Sequence, residues 1–346
     1  MNRVTEVGDG SRVLVTGGLG FIGSHLVEAL VGRGCRVTVL DDLSSGRMEN
    51  LGATAGHEAL EVKIGSVTDR PIVEDMVDRA DLVFHLAAVV GAAKVVEDPL
   101  ATIRTNVFGT GEVLAAAAAA ARPVVLASTS ELYGHADGVP FHEDGPTRVG
   151  APGVRRWSYA IAKVAAEHLA LAHAAQDGLR VVIPRLFNTV GERQRARHGM
   201  VVPRFVDQVL SGDEITVYGD GRQTRCFVDV LDTVDALIAL AECPEAEGQV
   251  VNLGSTEELT ILELAEMVQD LAREAGVQPN GIRFVPYAEI FGAGFEDASR
   301  RLPATGRIEG LTGWRPRIRL EDTLRRVFSE RLIRRAHRGS SAPAPN

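Results

Sequence analysis

A strand that runs into a cluster of glycines and then into an apolar helix constrains this sequence most. Residues 13–16 (VLVT) predict a buried strand, glycines follow at 17, 18, 20 and 23, and residues 21–30 carry apolar side chains at helical spacing. Glycine permits a tight turn and a close approach of backbone to a ligand, and the start of a helix presents unpaired N–H groups to anions. In this strand–turn–helix context the glycines predict a site for the pyrophosphate of a dinucleotide.

Strand and helix signals alternate along the first half of the chain, which is typical of a parallel sheet covered on both faces. Strands are predicted at about 12–16, 36–40, 60–64, 82–86, 123–128 and 180–186, and helices at about 20–33, 71–78, 99–121 and 157–176. The second half is less regular, with strands predicted near 215–218, 225–228, 249–252 and 282–285 and helices near 202–211, 230–242, 260–274 and 320–335. We expect an α/β fold: a Rossmann-type doubly wound parallel sheet with a smaller C-terminal α/β substrate domain.

The domain boundaries follow from this change of pattern. We place a dinucleotide-binding Rossmann domain at residues 11–187 and a mainly substrate-binding domain at 188–336. Some segments of the second domain are expected to return to the first. Residues 1–10 and 337–346 are predicted to be disordered ends.

Composition and charge exclude several classes of partner. The 346-residue chain has a net charge of −9, whereas general nucleic-acid and anionic-membrane binders need basic surface. No apolar run approaches the length of a membrane span, and the start lacks a signal-peptide pattern. The cysteines Cys35, Cys226 and Cys243 are far apart and indicate free thiols in a reducing compartment. We therefore expect a cytoplasmic protein with no metal site, no nucleic-acid partner and no membrane partner.

Two acidic residues at the end of the second predicted strand indicate which dinucleotide binds. Asp41 and Asp42 follow the glycine turn by about 20 residues, where a carboxylate can accept hydrogen bonds from the adenosine ribose. A carboxylate there repels a 2′-phosphate, so NAD is predicted rather than NADP, although an acid after a strand can also be a plain loop residue. The other residues expected around the cofactor are those of the glycine turn and of nearby strand ends: Gly17, Gly20, Phe21, Ile22, Gly23, Leu43, Ser45, Gly46, Ser66, Val67, Leu86, Ala87 and Ala88.

A tyrosine and a lysine four positions apart supply the predicted chemistry. Tyr159 and Lys163 lie on one face of a predicted helix, about 30 residues after the Ser/Thr-rich end of the fifth strand. A free tyrosine has a pKa of about 10, but a nearby ammonium and the positive nicotinamide of an oxidised cofactor would stabilise its phenolate. Tyr159 could then take a proton from a sugar or alcohol hydroxyl while hydride leaves for the cofactor.

With these residues in place, the chain resembles the extended short-chain dehydrogenase/reductases that act on nucleotide sugars, the NAD-dependent epimerase/dehydratase family. The resemblance rests on segments spread over about residues 12–330: 16–26 (TGGLGFIGSHL), 85–88 (HLAA), 98–99 (DP), 106–110 (NVFGT), 128–134 (STSELYG), 159–163 (YAIAK), 185–191 (RLFNTVG) and 218–225 (YGDGRQTR). Within the family, the chain is most similar to UDP-glucuronate 4-epimerases and UDP-glucuronate decarboxylases.

The resemblance implies roles for the matching residues. Tyr159 looks like the base, Lys163 like its partner on the nicotinamide ribose, and Thr129 like the hydroxyl that hydrogen-bonds the reacting oxygen. The implied catalytic residues are Thr129, Ser130, Glu131, Tyr159 and Lys163. The implied substrate residues are Thr129, Ser130, Tyr159, Asn188, Arg195, Val201, Arg204, Tyr218 and Arg225, with Tyr218 in the uracil pocket and Asn188 and Arg225 on the diphosphate. Asn106, Ser128, Tyr159, Lys163 and Pro184 are added to the cofactor site.

The residues near positions 130 and 195 bear on which reaction follows. The resemblance implies that the base takes the C4 hydroxyl proton as C4 hydride passes to NAD; an epimerase then returns hydride to the other face, and a decarboxylase loses CO2. Ser130 stands where dehydratases carry an acid, which disfavours elimination, whereas Glu131 is shared with decarboxylases. Arg195 falls where UDP-glucuronate 4-epimerases place a carboxylate-binding arginine, although it could equally be one charge in a basic loop.

We therefore predict an NAD-dependent UDP-sugar 4-epimerase, an isomerase that converts UDP-glucuronate to UDP-galacturonate through a 4-keto intermediate. UDP-glucuronate decarboxylase, which forms UDP-xylose, is the close alternative. A UDP-glucose 4-epimerase and a non-catalytic NAD-binding module are further alternatives, and the intact set of Thr129, Tyr159 and Lys163 argues against the second. The resemblance also implies a homodimer formed through the helices at about 99–121 and 157–176.

Overall fold

Regular alternation of strands and helices builds the first half of the structure, and shorter elements build the second. The computed structural model describes residues 7–134, 138–196, 200–291 and 298–340. The strands are β1 Arg12–Thr16, β2 Arg36–Asp41, β3 Leu60–Ile64, β4 Leu82–His85, β5 Val124–Leu126, β6 Ser128–Thr129, β7 Val181–Leu186, β8 Thr189–Val190, β9 Ile215–Tyr218, β10 Thr224–Cys226, β11 Val228–Asp229, β12 Val250–Leu253, β13 Glu258–Thr260 and β14 Ile282–Val285. The helices are α1 Phe21–Gly32, α2 Arg70–Asp78, α3 Ala92–Glu97, α4 Pro99–Ile103, α5 Thr110–Ala119, α6 Trp157–Asp177, α7 Val201–Ser211, α8 Val230–Ala241, α9 Ile261–Glu274, α10 Tyr287–Phe291, α11 Gly306–Thr312 and α12 Leu320–Ser340.

The central sheet pairs its described strands in parallel, which confirms the predicted fold class. Its order is β3-β2-β1-β4-β5-β7-β12, and β6 pairs with β7 where β5 has ended. β1 lies between β2 and β4, so that Thr16 is opposite both Leu40 and His85. The strand order reverses at β1, and ligands of such sheets bind at the carboxyl ends of the strands beside that reversal.

Apolar side chains on both faces of the sheet explain why its strands read as nearly continuous hydrophobic runs. In β1, Val15 joins a core with Phe84 on one face, while Leu14 joins a second core with Val83 on the other. The first core includes α1 and α8, and the second includes α2, α5 and α6. Burial of alternate residues on opposite faces fixes the register of the strands and therefore the positions of the loops that follow them.

The second half of the chain forms its own core and also returns to the first. Helices α7, α9 and α12 pack around β9, with Phe205, Leu264 and Leu324 fully buried between them. In contrast, β12 pairs with β7, and α8 packs on α1. The elements around β9, here called the second lobe or, after the sequence prediction, the substrate lobe, are therefore not one continuous segment of the chain.

The predicted helix over 99–121 is interrupted. A π-helical turn at Arg104–Gly109 separates α4 from α5. Within that turn, the buried Asn106 side chain accepts a hydrogen bond from the Val89 amide at 2.8 Å and donates one to the Val89 carbonyl at 3.0 Å. The end of α5 also comes earlier than predicted, because Ala121 adopts a positive φ of 53°.

The predicted disordered ends are wrong at their inner residues. Val7 is buried in the core beside β1, and the Gly10 amide donates to the Gly34 carbonyl at 3.0 Å. Helix α12 continues to Ser340, anchored on the way by Arg331, whose guanidinium pairs with Asp207 at 2.8 Å. Residues 1–6 and 341–346 lie outside the described residues. Among the helices of the described ranges, none combines the length and the hydrophobicity that crossing a membrane requires.

Candidate active site

A cavity of about 490 Å³ lies at the carboxyl ends of the central strands and extends towards the second lobe. Its lining includes residues that directly follow or end four of the strands: Gly17 after β1, Asp41 in β2, Leu86 after β4 and Phe187 after β7. Side chains of the substrate lobe, among them Tyr218, complete it. The cavity thus reaches from the glycine turn to the residues predicted to hold the substrate.

The glycine turn forms one end of this cavity and leaves no room for side chains. Gly17 has a φ of +72°, and a Cβ there would lie 2.7 Å from the Ala87 amide nitrogen. A Cβ on Gly23 would lie 2.1 Å from the Gly17 carbonyl oxygen. Helix α1 starts at Phe21 without a side-chain cap on its N–H groups, which therefore remain available to an anion. These features fit the pyrophosphate of a dinucleotide.

Asp41 lies beside the expected position of the adenosine ribose of such a dinucleotide. Its carboxylate is 7% exposed and accepts hydrogen bonds from the amides of Leu19 at 3.0 Å and Leu43 at 2.8 Å. Burial raises the pKa of Asp41, while the two amide donors lower it. The two amides fix the carboxylate at the cavity wall, and its negative charge favours ribose hydroxyls over a phosphate.

Tyr159, Lys163 and Thr129 meet in the middle of the cavity. Tyr159 and Lys163 lie one turn apart on α6, and the Lys163 ammonium donates to the Ala127 carbonyl at 2.7 Å. Burial raises the pKa of Tyr159, the charge of Glu131 raises it further, and a hydrogen bond with Thr129 lowers it. Burial also lowers the pKa of Lys163 to about 8. The surroundings of Tyr159 thus favour its phenol form, and bound NAD would supply the further positive charge that favours the phenolate.

An ion pair that the sequence did not reveal lies beside this set. Arg301 donates to a Glu131 carboxylate oxygen at 3.1 Å, and both side chains line the cavity. The Arg301 side chain is 9% exposed. A role for Glu131 was implied by the resemblance of the 128–134 segment, whereas Arg301 lies in an irregular segment without a motif, 170 positions away. The pair fixes a guanidinium in the wall of the cavity.

The far end of the cavity is built by residues of the substrate lobe. The Arg204 guanidinium stacks on the ring of Tyr218, 3.7 Å from its centroid. Gln223 donates to the Tyr218 carbonyl and to the Tyr287 hydroxyl, both at 3.0 Å. Asn188 donates to the Cys226 carbonyl at 2.9 Å. The structure therefore gathers the predicted substrate residues Asn188, Val201, Arg204, Tyr218 and Arg225 along one wall.

Most predicted cofactor and catalytic residues line the cavity as well. These are Gly17, Gly20, Phe21, Ile22, Gly23, Asp41, Asp42, Ser45, Val67, Leu86, Ala87, Ala88, Ser128, Thr129, Ser130, Glu131, Tyr159 and Lys163. Lining residues that were not among the predicted site residues include Thr105, Arg156, Gln194, Gln223, Tyr287 and Arg301. Two of these residues could have been found from the sequence. Gln223 lies in the 218–225 motif, and Tyr287 is one of only four tyrosines.

Six predicted site residues lie outside the cavity wall: Leu43, Gly46, Ser66, Asn106, Pro184 and Arg195. Leu43 and Gly46 instead surround Asp41: the Leu43 amide bonds its carboxylate, and a Cβ on Gly46 would lie 2.8 Å from it. The hydroxyl groups of Ser66 and Thr68 form a hydrogen bond with each other at 2.9 Å. Asn106 bonds the Val89 backbone, and Pro184 is buried in the middle of β7, opposite Val251.

Arg195 matters most among these, because the epimerase prediction depended on it. Its loop is held from behind by α12, where Glu330 accepts from the Arg193 amide at 3.1 Å and Arg331 donates to the Gln194 carbonyl. Gln194 rather than Arg195 lines the cavity. Arg195 therefore stays a predicted substrate residue that the described cavity wall does not include.

This fold and site define an NAD-dependent enzyme of the short-chain dehydrogenase/reductase class. A family model described as NAD dependent epimerase/dehydratase family matches residues 13–254, and the chain belongs to that family. UDP-N-acetyl-alpha-D-glucosaminuronate decarboxylase of Bacillus cytotoxicus is 39% identical over 92% of this chain and 96% of its own. UDP-glucuronic acid decarboxylase 1 of Danio rerio is 36% identical over 95% of this chain and 75% of its own. The solved UDP-N-acetylglucosamine 4-epimerase of Methanobrevibacter ruminantium shares the fold with a TM-score of 0.83 and 28% identity, covering 94% of this chain and 99% of that one.

Proposed function

We propose that the protein is an NAD-dependent decarboxylase of UDP-linked uronic acids, acting on UDP-glucuronate or its 2-acetamido counterpart. The observation that carries this proposal is the ion pair of Glu131 and Arg301 inside the cavity. A uronate is anionic at C6, and a guanidinium offers a planar pair of donors suited to a carboxylate. The two decarboxylases that match more than nine-tenths of this chain support the same choice.

Each residue of the site has a task in this reaction. Tyr159 takes the C4 hydroxyl proton, and Thr129 hydrogen-bonds the same oxygen. The glycine turn and Asp41 would hold NAD, which would supply a reversible acceptor for the C4 hydride. The C6 carboxylate is then β to a ketone and leaves as CO2 when its bond to C5 lies parallel to the carbonyl π system. Arg301, itself fixed by Glu131, holds the carboxylate before it leaves, and C5 then gains a proton from solvent. The net reaction consumes the uronate and one proton and yields the UDP-pentose and CO2.

The 4-epimerase reaction predicted from the sequence has less support. It required Arg195 to hold the C6 carboxylate out of alignment with the C4 carbonyl, and Arg195 does not line the cavity. The solved 4-epimerase shares 28% identity with this chain, whereas the two decarboxylases share 39% and 36%. We therefore favour the UDP-uronate decarboxylase, which the sequence analysis gave as the close alternative.

Identification of the product tests the proposal directly. The protein is incubated with NAD and UDP-glucuronate, and in parallel with UDP-N-acetylglucosaminuronate, and the products are read by NMR. We expect CO2 and a UDP-pentose from at least one of the two, and the faster substrate identifies the substituent at C2. Formation of UDP-galacturonate without CO2 would contradict the proposal and restore the epimerase.

Two arginine variants separate the competing roles. Arg301→Gln keeps a polar side chain but removes the charge, so we expect kcat/KM to fall by about 100-fold, which corresponds to about 3 kcal/mol for a charged hydrogen bond. Arg195→Gln is the matched control and should stay within about threefold of the unmodified enzyme. Thermal unfolding shows whether each variant is folded. The opposite ranking of the two variants would contradict the role given to Arg301.

We also propose that two copies of the chain associate through α4, the π-helical turn and α6. Leu100, Ile103 and Phe108 are 57%, 38% and 63% exposed, and their spacing places them on one side of the helical segment. Ile161 on α6, which packs against that segment, is 41% exposed. A homodimer would cover this apolar surface. We further propose that the protein acts in the cytoplasm, where nucleotide sugars and NAD are both present.

A further inference from the structure

A buried polar network lies directly behind the predicted catalytic lysine. Glu167 follows Lys163 by one turn of α6 and is 5% exposed. Arg185 on β7, also 5% exposed, pairs with both oxygens of its carboxylate at 2.7 and 3.0 Å. The Ser128 hydroxyl donates to the same carboxylate at 2.5 Å. This carboxylate has no part in the reaction described above.

We propose that Glu167, held by Arg185 and Ser128, is a positioning residue that keeps the ammonium of Lys163 charged so that Lys163 can stabilise the Tyr159 phenolate. The inference rests on the proposed function in one respect, the roles of Tyr159 and Lys163. Tyr159, Lys163 and Glu167 follow one another at intervals of four residues and thus form a column along one side of α6. Glu167 is the last member of this column, and its carboxylate is fixed by the Arg185 guanidinium.

The electrostatics of Lys163 support this role. Lys163 is 2% exposed, and its burial disfavours the charged form. Burial is the larger influence on the pKa of Lys163 and lowers it to about 8, whereas the charge of Glu167 raises it. Without that charge, the pKa of Lys163 would be lower still. A larger fraction of Lys163 would then be neutral and unable to stabilise the phenolate.

Other groups around the pair do not supply the same charge. His85 on β4 faces Lys163, but its pKa is lowered to about 3 by burial and then by Lys163, so the ring is neutral. Glu131 acts on Tyr159 and is paired with Arg301. On the helices packed against α6, Arg104 is exposed and Glu112 lies 3.8 Å from Arg70. The phenol of Tyr133 accepts from Arg185 at 2.9 Å, and burial raises its pKa.

The rest of the network holds the carboxylate in place. Arg185 also donates to the Glu143 carbonyl at 3.1 Å, and the Tyr133 hydroxyl donates to Asn252 at 2.7 Å. Asn252 donates in turn to the Phe141 carbonyl at 2.8 Å. These bonds join α6, β7 and β12, so Glu167 cannot swing towards Lys163 or away from it. The carboxylate therefore acts as a fixed charge at a fixed distance.

The lysine content of the chain makes the proposal directly measurable. Lys63, Lys94 and Lys163 are the only lysines in the sequence, so protein labelled with ¹³C at lysine Cε gives three NMR signals, and Lys163→Arg identifies one of them. The test variant is Glu167→Leu with Arg185→Met, which removes the charge without leaving a buried guanidinium unpaired. The matched control is Glu247→Leu with Arg180→Met, since that ion pair at 3.5 Å lies elsewhere.

In the holoenzyme with NAD, we expect the test variant to lower the pKa of Lys163 by at least about one unit, a tenfold change in proton affinity. The signals of Lys63 and Lys94 should not move, and the control pair should leave all three unchanged. The alkaline limb of turnover should shift to lower pH by the same amount, which a purely structural role would not cause. A Lys163 titration that is unchanged in the folded test variant would overturn the proposal.

Two further results keep this test separate from that of the proposed function. The NMR titration needs no substrate, so it remains decisive even if no UDP-uronate is converted. Conversely, if Tyr159→Phe and Lys163→Ala retain turnover, the proposed catalytic roles are wrong whatever the titration shows. If the first test variant does not fold, Glu167→Gln with Arg185→Met keeps an acceptor for Ser128 and must give the same shift.

Discussion

The absence of a Cβ atom at particular glycines determines the shape of the turn that is expected to bind NAD. A methyl group on Gly23 would lie 2.1 Å from a backbone oxygen of Gly17, which no side-chain movement can relieve. Gly32, at the other end of the same helix, has nothing within 4 Å of the position of a Cβ. The two glycines are alike in the sequence, yet only the first is required by its surroundings.

We expect Gly23→Ala to weaken NAD binding at least about tenfold, because the turn must shift by more than an ångström and a loss of about 1.4 kcal/mol has that effect. Calorimetric titration with NAD measures it. Gly32→Ala is the matched control and should bind NAD normally, with a gain in unfolding free energy of up to about 1 kcal/mol from the better helix former. Equal NAD affinity in the two variants would show that the turn does not hold the cofactor.

Individual residues also show which parts of the site the sequence can predict and which it cannot. Asp41, Tyr159 and Lys163 were predicted because each has a local context: the end of a strand after a glycine turn, or a fixed spacing on a helix. Glu131 and Arg301 meet only through folding of segments 170 positions apart. No spacing in the sequence marks Arg301, and Arg195, the arginine that the resemblance indicated, is not among the lining residues of the cavity.

At the scale of elements, a buried histidine ties two strands and a helix together below the cavity. His85 Nδ1 lies 2.7 Å from the Thr16 hydroxyl on β1, and its Nε2 lies 2.9 Å from the Thr110 hydroxyl on α5. Thr16 also accepts from the Ala87 amide at 3.2 Å, at the edge of the cofactor site. The network holds the ends of β1 and β4 in register with α5.

This network predicts a loss of stability in mild acid. The pKa of His85 falls from 6.5 to about 3 on folding, so the unfolded chain binds more protons between these values, and stability present above pH 6.5 is lost as the pH falls. One such group costs about 1.4 kcal/mol of unfolding free energy by about pH 5.5. Urea unfolding at several pH values measures this loss.

Two histidine variants isolate the contribution of this residue. His85→Gln should unfold more easily at neutral pH but show a smaller additional loss in acid. His168→Gln, at an exposed position of α6, should keep the slope of the unmodified protein. If His85→Gln and the unmodified protein lose stability in parallel, His85 is not the group that titrates.

At the scale of the whole molecule, the exposed apolar residues of α4 and the π-helical turn lie away from the cavity wall. Phe108 is 63% exposed and Leu100 is 57% exposed, and neither lines the site. The second helix of this surface, α6, carries Tyr159 and Lys163 on another side. Association of two chains here would therefore pack against the side of α6 that faces away from the cavity, and it would leave the cavity open to substrate.

We expect Phe108→Asp to weaken this association at least about tenfold, because a buried aromatic anchor is lost and a charge must be desolvated. Light scattering after gel filtration measures the mass at several concentrations. Phe284→Asp, at another exposed phenylalanine on β14, is the matched control and should leave the mass unchanged. A monomer in the unmodified protein would contradict the proposed dimer.

The sequence by itself determined the sheet, the cofactor and the pair of residues on α6. These depend on local patterns: apolar runs for buried strands, glycines where a Cβ would collide, and a spacing of four on a helix. Only the tertiary structure decided which charges meet at the cavity, because packing of distant segments sets that choice. The loop of Arg195 is held by α12, Arg301 reaches Glu131, and Arg185 reaches Glu167. The free energy of each of these contacts depends on three-dimensional distance and burial, and neither quantity can be read from the sequence.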